Sequence, residues 1–541
     1  MTSDSLPLEV YFRLARTQVE PRPRNMLPHD KERNREALLL FALILLTVAV
    51  RLPGIGASFY GDEGFSLLRD SNQLLTTTED RFRPLYFSLL YLWRSLGFHG
   101  EFGLRGLSLL FGVLQIPVGY LLAKRLAGPR AGFVFGLLLA LDPMLIEFSQ
   151  ELRMYSLVPL VALMQAWAFA AVAARSAERK PVLGAWLGFV LAGAVGVYSH
   201  FHYWFLLAGF GFAVLRRRRE LDLKQGLSAL FAIVVLYLPN VSNVLRFQRE
   251  AGGAPHLLAT DLASALPKLI VACSVGFNYF SLPDLGMDRA VRLSSLAPNI
   301  ALTICVAIPA LLVGWQLVRL IRTRQPGPVF WLAVELFVVP AAVSFLAVVV
   351  THKNFVHPKY MVFSAPFLPL LLCAGYLATR ERAARLALAA TSIFVFAVAI
   401  VHFNQPERYG RRENWRGAAE YLRPALGSNA LLLRLGNVGT GESVTLSNGT
   451  PRSLWEYYAA DLFGRTKTVS LPTADAGPQA LVPVIERVTR DKRDIYYLWS
   501  EIGRNFDDPN DALLAAARSV LIDEDKRQFN PRFILFHWHT R

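Results

Sequence analysis

Long apolar runs constrain the folding of this 541-residue chain more than any other feature of its sequence. The stretches 37–50, 104–123 and 384–401 approach the roughly 20 residues that an α-helix needs to cross a bilayer. Charged residues make up only 18% of the chain, whereas a soluble chain carries about 25%. The three cysteines form no disulfide framework. These features exclude an ordinary soluble enzyme, a disordered chain and a disulfide scaffold, and they predict a polytopic membrane protein.

The apolar runs predict about eleven transmembrane helices. They lie at 37–55, 104–123, 131–147, 154–174, 182–198, 201–215, 225–241, 296–317, 328–350, 361–379 and 385–402. Five short connections, at 124–130, 175–180, 216–224, 319–325 and 380–385, hold 17 Lys and Arg against 4 Asp and Glu. The positive-inside rule places these connections in the cytoplasm, so the longer connections and the C-terminal tail lie outside. The formal net charge of +16 therefore reports orientation rather than nucleic-acid binding.

Domain organisation follows from this topology. We expect a cytoplasmic segment at 1–36, a transmembrane domain at 37–402 and an extracytoplasmic α/β domain at 403–541, with 56–103 as the first outer loop. Pro84 to Phe98 is apolar but too short for a span, and we expect a helix lying in the outer interface. In the tail, strand-like runs at 430–435, 495–499 and 532–538 alternate with helical stretches at 415–422, 478–488 and 511–520.

Adjacent carboxylates follow the first span, where Asp62 and Glu63 stand between glycines in an apolar stretch. A solvated loop or acids in a first helical turn would explain them equally well. In the functional interpretation, one carboxylate is a general base and the other orients a cation or a metal. No cofactor is assigned, and a divalent metal held by these two acids stays open.

Further charged and aromatic residues collect at the same predicted face. They are Arg83, Arg105, Glu151, Arg153, Tyr155, Lys353, Lys359 and Tyr360. A single cation at a membrane edge usually reaches to lipid headgroups, but several together suit a phosphate at the lipid boundary. His200 and His202 flank Phe201 at an outer turn, and polar caps on helices explain them at least as well as a role in the site.

Four short motifs in this order resemble the GT-C glycosyltransferases. They are Asp62-Glu63, Arg83-Pro84-Leu85-Tyr86-Phe87, Gly103-Leu104-Arg105-Gly106-Leu107-Ser108 and Ser149-Gln150-Glu151-Leu152-Arg153-Met154-Tyr155, with weaker echoes at His357-Pro358-Lys359-Tyr360 and Glu413-Asn414-Trp415-Arg416-Gly417-Ala418-Ala419. The resemblance is to the protein O-mannosyltransferase and aminoarabinose lipid A transferase clan.

The resemblance implies a GT-C fold with in-plane helices between the first two spans, and a catalytic role for Asp62. It also implies that Glu63 and Arg105 interact in the site. The sequence departs from the clan at Arg83, where His is common, and at Lys359, where Arg is common.

The expected function is transfer of a sugar from a polyprenyl-phosphate donor to an acceptor hydroxyl, with inversion, at the outer face of a bacterial cytoplasmic membrane. The partners would be the donor lipid and a glycan, lipid or protein acceptor, with no nucleic acid. The alternative is a lipid or solute transporter or flippase, which would carry ionisable or helix-breaking elements at the bilayer midplane.

Overall fold

The computed structural model divides the chain into two compact units. Unit one comprises Met1–Ile55, Leu75–Phe98 and Gly103–Phe403, and unit two comprises Gly56–Leu74, His99–Phe102 and Asn404–Arg541. The structure describes residues 29–59, 62–67, 81–250, 326–351, 358–379, 414–427, 429–436, 457–458, 466–470, 477–500, 512–530 and 533–540, with scattered positions at 314–322 and 381–397. Segment 56–74, which the sequence assigned to the first outer loop, belongs to unit two together with the tail.

All the regular secondary structure in the described residues of unit one is helical. Its helices are α1 His29–Arg51, α3 Pro84–Ser95, α4 Gly100–Ala127, α5 Pro129–Leu141, α6 Pro143–Ser149, α7 Leu157–Ala177, α8 Leu183–Ser199, α9 Tyr203–Arg216, α10 Leu223–Tyr237, α11 Val241–Glu250, α12 Pro328–Ala333, α13 Val339–Thr351 and α14 Phe367–Ala378. The short helix α2 Asp62–Leu67 belongs to unit two. A π-helical segment, Val334–Val338, joins α12 to α13, and 3₁₀ turns lie at Leu238–Asn240 and Pro358–Tyr360.

Several of these helices are long and apolar enough to cross a membrane. Within the described residues they are Gly100–Ala127, Leu157–Ala177, Leu223–Phe247 and Pro328–Thr351, and the pair α5 and α6, bent by 59°, adds a fifth if it forms one span. The predicted helical membrane architecture is therefore present. The predicted spans 296–317 and 385–402 fall largely outside the described residues, so the count of eleven stays a prediction.

The predicted interfacial stretch forms helix α3, which has only 12 residues and is too short to span a bilayer. Proline at its first position fits a helix start, because the missing N–H has no helical partner there. Tyr86 on this helix lies 3.2 Å from Ser108 Oγ through its hydroxyl, and the Trp93 indole donates to Gly103 O at 2.8 Å. These contacts attach α3 to the start of α4, and its in-plane orientation remains a prediction.

Close packing in unit one depends on small residues facing large ones. A Cβ at Gly196 would lie 2.3 Å from the Tyr203 ring, so α8 and α9 meet only because that position is glycine. The Tyr203 hydroxyl then donates to Gln165 Oε1 at 2.9 Å. Polar groups inside a bundle of membrane helices need such partners, because the hydrocarbon core of a bilayer supplies no water to solvate them.

Unit two contains a five-stranded mixed sheet. Its strands are β1 Ala430–Gly436, β2 Thr466–Ser470, β3 Asp494–Ser500, β4 Ile522–Asn530 and β5 Phe533–His539, in the order β2-β1-β3-β5-β4. Strand β1 is parallel to β2 and β3, whereas β5 is antiparallel to β3 and β4. Its helices are α15 Trp415–Ala425, α16 Pro478–Thr489 and α17 Ala512–Val520.

The two faces of this sheet bury separate apolar clusters. On one face, Ile485 and Leu513 from α16 and α17 pack with Trp538 of β5. On the other face, Leu422 of α15 packs with Leu535. The predicted small α/β arrangement in the tail is thus present, with helices on both faces of the sheet.

Candidate functional site

Cationic side chains converge around His200, which caps the end of α8 with its backbone N–H donating to Gly196 O at 2.9 Å. Burial lowers the pKa of His200 well below its usual value, and the nearby His202, Arg83, Arg153 and Lys359 lower it further. Those charges act on His200 only because helix packing brings four separate segments to one place. The imidazole is therefore neutral and available for hydrogen bonding.

Aromatic rings line this group of residues. The His202 ring stacks on Tyr360 with centroids 4.8 Å apart and planes 3° from parallel. Tyr155 approaches His200 at 6.1 Å between centroids. We refer to Arg83, Arg153, Tyr155, His200, His202, Lys359 and Tyr360 as the cationic cluster.

The two arginines of the cationic cluster also lie over aromatic rings. The Arg153 guanidinium is 5.9 Å from the centroid of Phe87, and that of Arg83 is 5.6 Å from the centroid of Phe82. Arg153 is almost fully buried. Planar cations resting on rings are held in orientation while their outer N–H groups can address a phosphate or a sugar oxygen.

A buried polar atom at the centre of the cationic cluster has no hydrogen-bond partner within the described part of the chain. It is Nδ1 of His200, a residue only 1% exposed. A buried polar atom of this kind costs free energy unless a ligand or a water satisfies it. The cluster is therefore suited to binding an anion that carries further oxygens.

The predicted catalytic acids lie in unit two. Asp62 and Glu63 begin helix α2, and Glu63 is fully buried. The Asp62 side chain lies outside what the structure describes. Whether these acids face the cationic cluster, and whether Glu63 interacts with Arg105 of unit one, both stay predictions.

Tail residues of unit two hold the backbone just before Asp62. The Phe59 N–H donates to the Tyr458 hydroxyl at 2.7 Å, and that hydroxyl donates to Glu101 Oε1 at 2.8 Å. Arg416 donates through Nη2 to Gly56 O at 2.7 Å and pairs with Glu101 at 2.9 Å. Segment 56–59, which leads to α2, is thus bonded to two residues that follow it by more than 350 positions.

The motif around Arg416 explains how this contact is built. Asn414 caps α15, with its side chain accepting from the Gly417 N–H at 2.9 Å. The cap places Arg416 in the first turn, where its own N–H reaches Ser58 Oγ at 3.3 Å. The sequence showed this motif as a weak echo, and the structure gives it a positioning role.

The remaining predicted site residues separate into two groups. Arg105 is buried and donates through Nη1 to Ile55 O at 2.8 Å, which fixes the backbone just beyond α1. Glu151 is also buried, two residues before Arg153. Lys353 lies outside the described residues.

The sequence favoured polar caps on helices over a role in the site for His200 and His202, and the structure places them at the end of α8 and just before α9. Both are central to the cationic cluster. The available signal was two histidines in one short turn at the predicted outer face, where desolvated polar residues mark functional positions by default.

Comparison with known families bears on this geometry. Residues 83–243 match the family model described as dolichyl-phosphate-mannose-protein mannosyltransferase. The predicted resemblance to GT-C glycosyltransferases of the protein mannosyltransferase type is confirmed. The matched segment includes Arg83, Arg153, His200 and His202 of the cationic cluster, whereas Asp62 lies before it. No curated protein sequence matches the chain.

Solved structures that match the chain include ArnT and an archaeal oligosaccharyltransferase. ArnT from Cupriavidus metallidurans bound to undecaprenyl phosphate has 16% identity and a TM-score of 0.48, with 93% of this chain and 97% of that chain covered. The Archaeoglobus fulgidus oligosaccharyltransferase in complex with Zn and sulfate has 16% identity and a TM-score of 0.49, with 91% and 72% covered. Both TM-scores are below 0.5, so the resemblance rests on the family match over residues 83–243.

Proposed function

We propose that the protein is an integral membrane glycosyltransferase. It would move a sugar from a polyprenyl-phosphate donor to an acceptor hydroxyl on the extracytoplasmic face, with inversion at the anomeric carbon. The observation that carries this proposal is the cationic cluster, in which cations from distant segments surround a buried neutral histidine. The matched family supports it, since its description names a dolichyl-phosphate-linked mannose donor.

The cationic cluster is the proposed site of the donor phosphate. Arg83 and Arg153 offer planar forks to phosphate oxygens, and Lys359 adds a point charge. His200 contributes a hydrogen bond from its neutral ring, while the rings of Tyr155 and Tyr360 provide flat surfaces for the sugar. Fixed cations stabilise the charge that develops on the departing phosphate, so the reaction needs no separate general acid.

The proposed reaction is a single displacement. The acceptor oxygen attacks the anomeric carbon from the face opposite the phosphate while Asp62 takes the hydroxyl proton. The bond between the anomeric carbon and the phosphate oxygen breaks, and its electron pair leaves with polyprenyl phosphate. Glu63 and Arg105 are proposed to orient Asp62, and segment 56–59 is already held by Tyr458 and Arg416 in unit two.

Acids inside the apolar helices have structural partners, which disfavours the transporter alternative. Asp142 ends α5 and caps α6, accepting from the Leu145 N–H at 3.0 Å. Glu335 forms a buried ion cluster with Arg216 and Arg217. A coupled transporter needs such acids to exchange with an ion or a substrate, whereas these two already serve a helix cap and an ion pair.

Asp62→Asn tests the assignment of the general base. Purified protein in proteoliposomes receives a labelled polyprenyl-phosphate sugar and acceptor, and release of polyprenyl phosphate is measured. Loss of a general base removes about 10²–10⁴-fold in rate. We therefore expect at least a 100-fold slower transfer with donor binding retained. Asp491→Asn, at an exposed position in the tail, is the matched control.

The same assay separates the enzyme from the carrier, because a flippase moves the donor without cleaving it. Near-normal transfer by Asp62→Asn would refute the catalytic assignment, and an intact donor would refute the glycosyltransferase. Mass analysis of the lipids and glycans of a deletion strain then identifies the sugar and the acceptor.

A further inference from the structure

The sheet of unit two carries two histidines and an aspartate on adjacent antiparallel strands. In the register of β3 and β5, Asp494 lies opposite His539, and Tyr496 lies opposite His537. Because side chains two positions apart share a face, His537 and His539 project to the same side as Asp494. Directly opposite and diagonal neighbours are both within reach across antiparallel strands. We call these three residues the Asp494 triad.

The potential metal-ligand atoms of the Asp494 triad lie close to one another. Asp494 Oδ1 lies 3.0 Å from His537 Nε2 and 3.1 Å from His539 Nδ1, and all three ligand atoms lie within 4.8 Å of one another. Tetrahedral zinc has nitrogen and oxygen ligands at about 2.0–2.2 Å, which places those ligands about 3.3 Å apart. Small side-chain rotations would bring all three atoms to that spacing around one cation.

The surroundings of the Asp494 triad suit a metal site that water can reach. On the same face of the sheet, helix α15 covers Leu535. The side chains of Asp494, His537 and His539 are 31%, 24% and 41% exposed. The fourth ligand position of a cation bound by these three side chains is therefore accessible to water. The ring of Tyr496 stacks on His537 with centroids 4.3 Å apart and fixes one ligand, as a supporting residue does in a metal site.

We propose that the Asp494 triad binds a divalent transition metal, for which Zn²⁺ is the best match. Two imidazole nitrogens, one carboxylate oxygen and an accessible fourth position are a ligand set that zinc accepts. The metal would take the place of the direct contacts between the two rings and Asp494, and would link β3 to β5. Asp525 of β4 stands in register with His537 and adds negative charge nearby. This proposal is independent of the glycosyltransferase activity.

Zinc stoichiometry tests the site directly. The 541-residue chain, carrying a purification tag without histidines, is stripped with a chelator, dialysed against Zn²⁺ and analysed by elemental mass spectrometry. We expect Asp494→Asn and His537→Gln each to bind one equivalent less than the unaltered protein. His99→Ala, which changes an exposed histidine in the same unit, is the control and should lose nothing. Equal zinc content in all four proteins would overturn the proposal.

A measurement on the unaltered protein keeps the proposal falsifiable if a variant does not fold. Hydrogen exchange is followed in peptides that cover β3 and β5, with Zn²⁺ and with Mg²⁺ at the same concentration. A metal bridging these strands should slow exchange at least tenfold with Zn²⁺, and Mg²⁺ should have no effect because it prefers oxygen ligands. Unchanged exchange with Zn²⁺ would refute the site.

Discussion

Removing the carboxylate of Glu335 should destabilise unit one strongly. Arg217 Nη1 donates to Oε1 and Oε2 of Glu335 at 2.9 and 2.8 Å, and Arg216 Nε donates to Oε1 at 2.5 Å. The Glu335 side chain is fully buried, those of Arg217 and Arg216 are 8% and 26% exposed, and the cluster ties α9 to the π-helical segment before α13. Glu335→Gln would leave two guanidinium charges facing a neutral amide.

The expected magnitude follows from these contacts. A hydrogen bond to a charged group contributes about 1.5–3 kcal/mol, so the sum over three such bonds is an upper estimate of the loss. Removing one partner of a buried ion pair costs less than that sum, about 3–5 kcal/mol. The lower range applies, because Arg216 is partly exposed and can turn towards water. We expect Glu335→Gln to cost about 4 kcal/mol, which for a unit of this size corresponds to a fall in the unfolding midpoint of roughly 5 °C.

Thermal unfolding of the purified protein in detergent measures this loss. Glu178→Gln is the control, because Glu178 pairs with Lys180 in the exposed connection after α7, and exposed pairs contribute about 0–1 kcal/mol. At a temperature below unfolding, Glu335→Gln should retain sugar transfer, since the carboxylate has a structural role. A midpoint within a degree or two of the unaltered protein would refute the buried ion cluster.

Three further predictions test other parts of the molecule. Arg153→Ala should weaken binding of the labelled donor by about 10–100-fold, and Arg153→Lys by less, because Lys keeps the charge but not the fork; equal affinities would remove Arg153 from the phosphate site. Gly209→Ala should lower the unfolding midpoint, since its Cβ would lie 2.3 Å from Glu335 O, whereas Gly184→Ala meets nothing within 4 Å and should be tolerated. Hydrogen bonds from Arg518 are the main reason that the pKa of Glu524 falls from 4.5 to about 2, so its contribution to tail stability is complete above pH 4.5 and lost towards pH 2. Hydrogen exchange of the tail should show that loss, and Glu524→Gln should remove that part of the pH dependence.

Periodicity and length predicted the regular elements because they report local burial. The helices and the three apolar strands of the tail lie close to where hydrophobic patterning placed them. Strand β2, Thr466–Ser470, was missed because it is short and mostly polar, and strand β4 was missed because Ile522–Asn530 is mostly charged and does not alternate. Its place at the sheet edge explains this, because an edge strand pairs on one side only and charges there discourage further pairing.

The candidate site was predictable as a set of residue types but not as an arrangement. Positive-inside counting placed Arg83, Arg153 and Lys359 at one membrane face. It could not show that they meet at His200, because that depends on how helices from four segments pack. A histidine beside a helix end has the same local pattern whether it solvates that end or lies inside a cationic cluster.

The contacts of segment 56–59 change what the tail can be expected to do. The sequence left the tail as a part that binds the acceptor or covers the site. Tyr458 and Arg416 instead bond the backbone immediately before Asp62, through a tyrosine hydroxyl and a guanidinium that share Glu101. A general base contributes to the rate only when it is held within hydrogen-bond reach of the proton it removes. The tail is therefore best understood as part of the support for segment 56–59, which leads to the proposed general base Asp62.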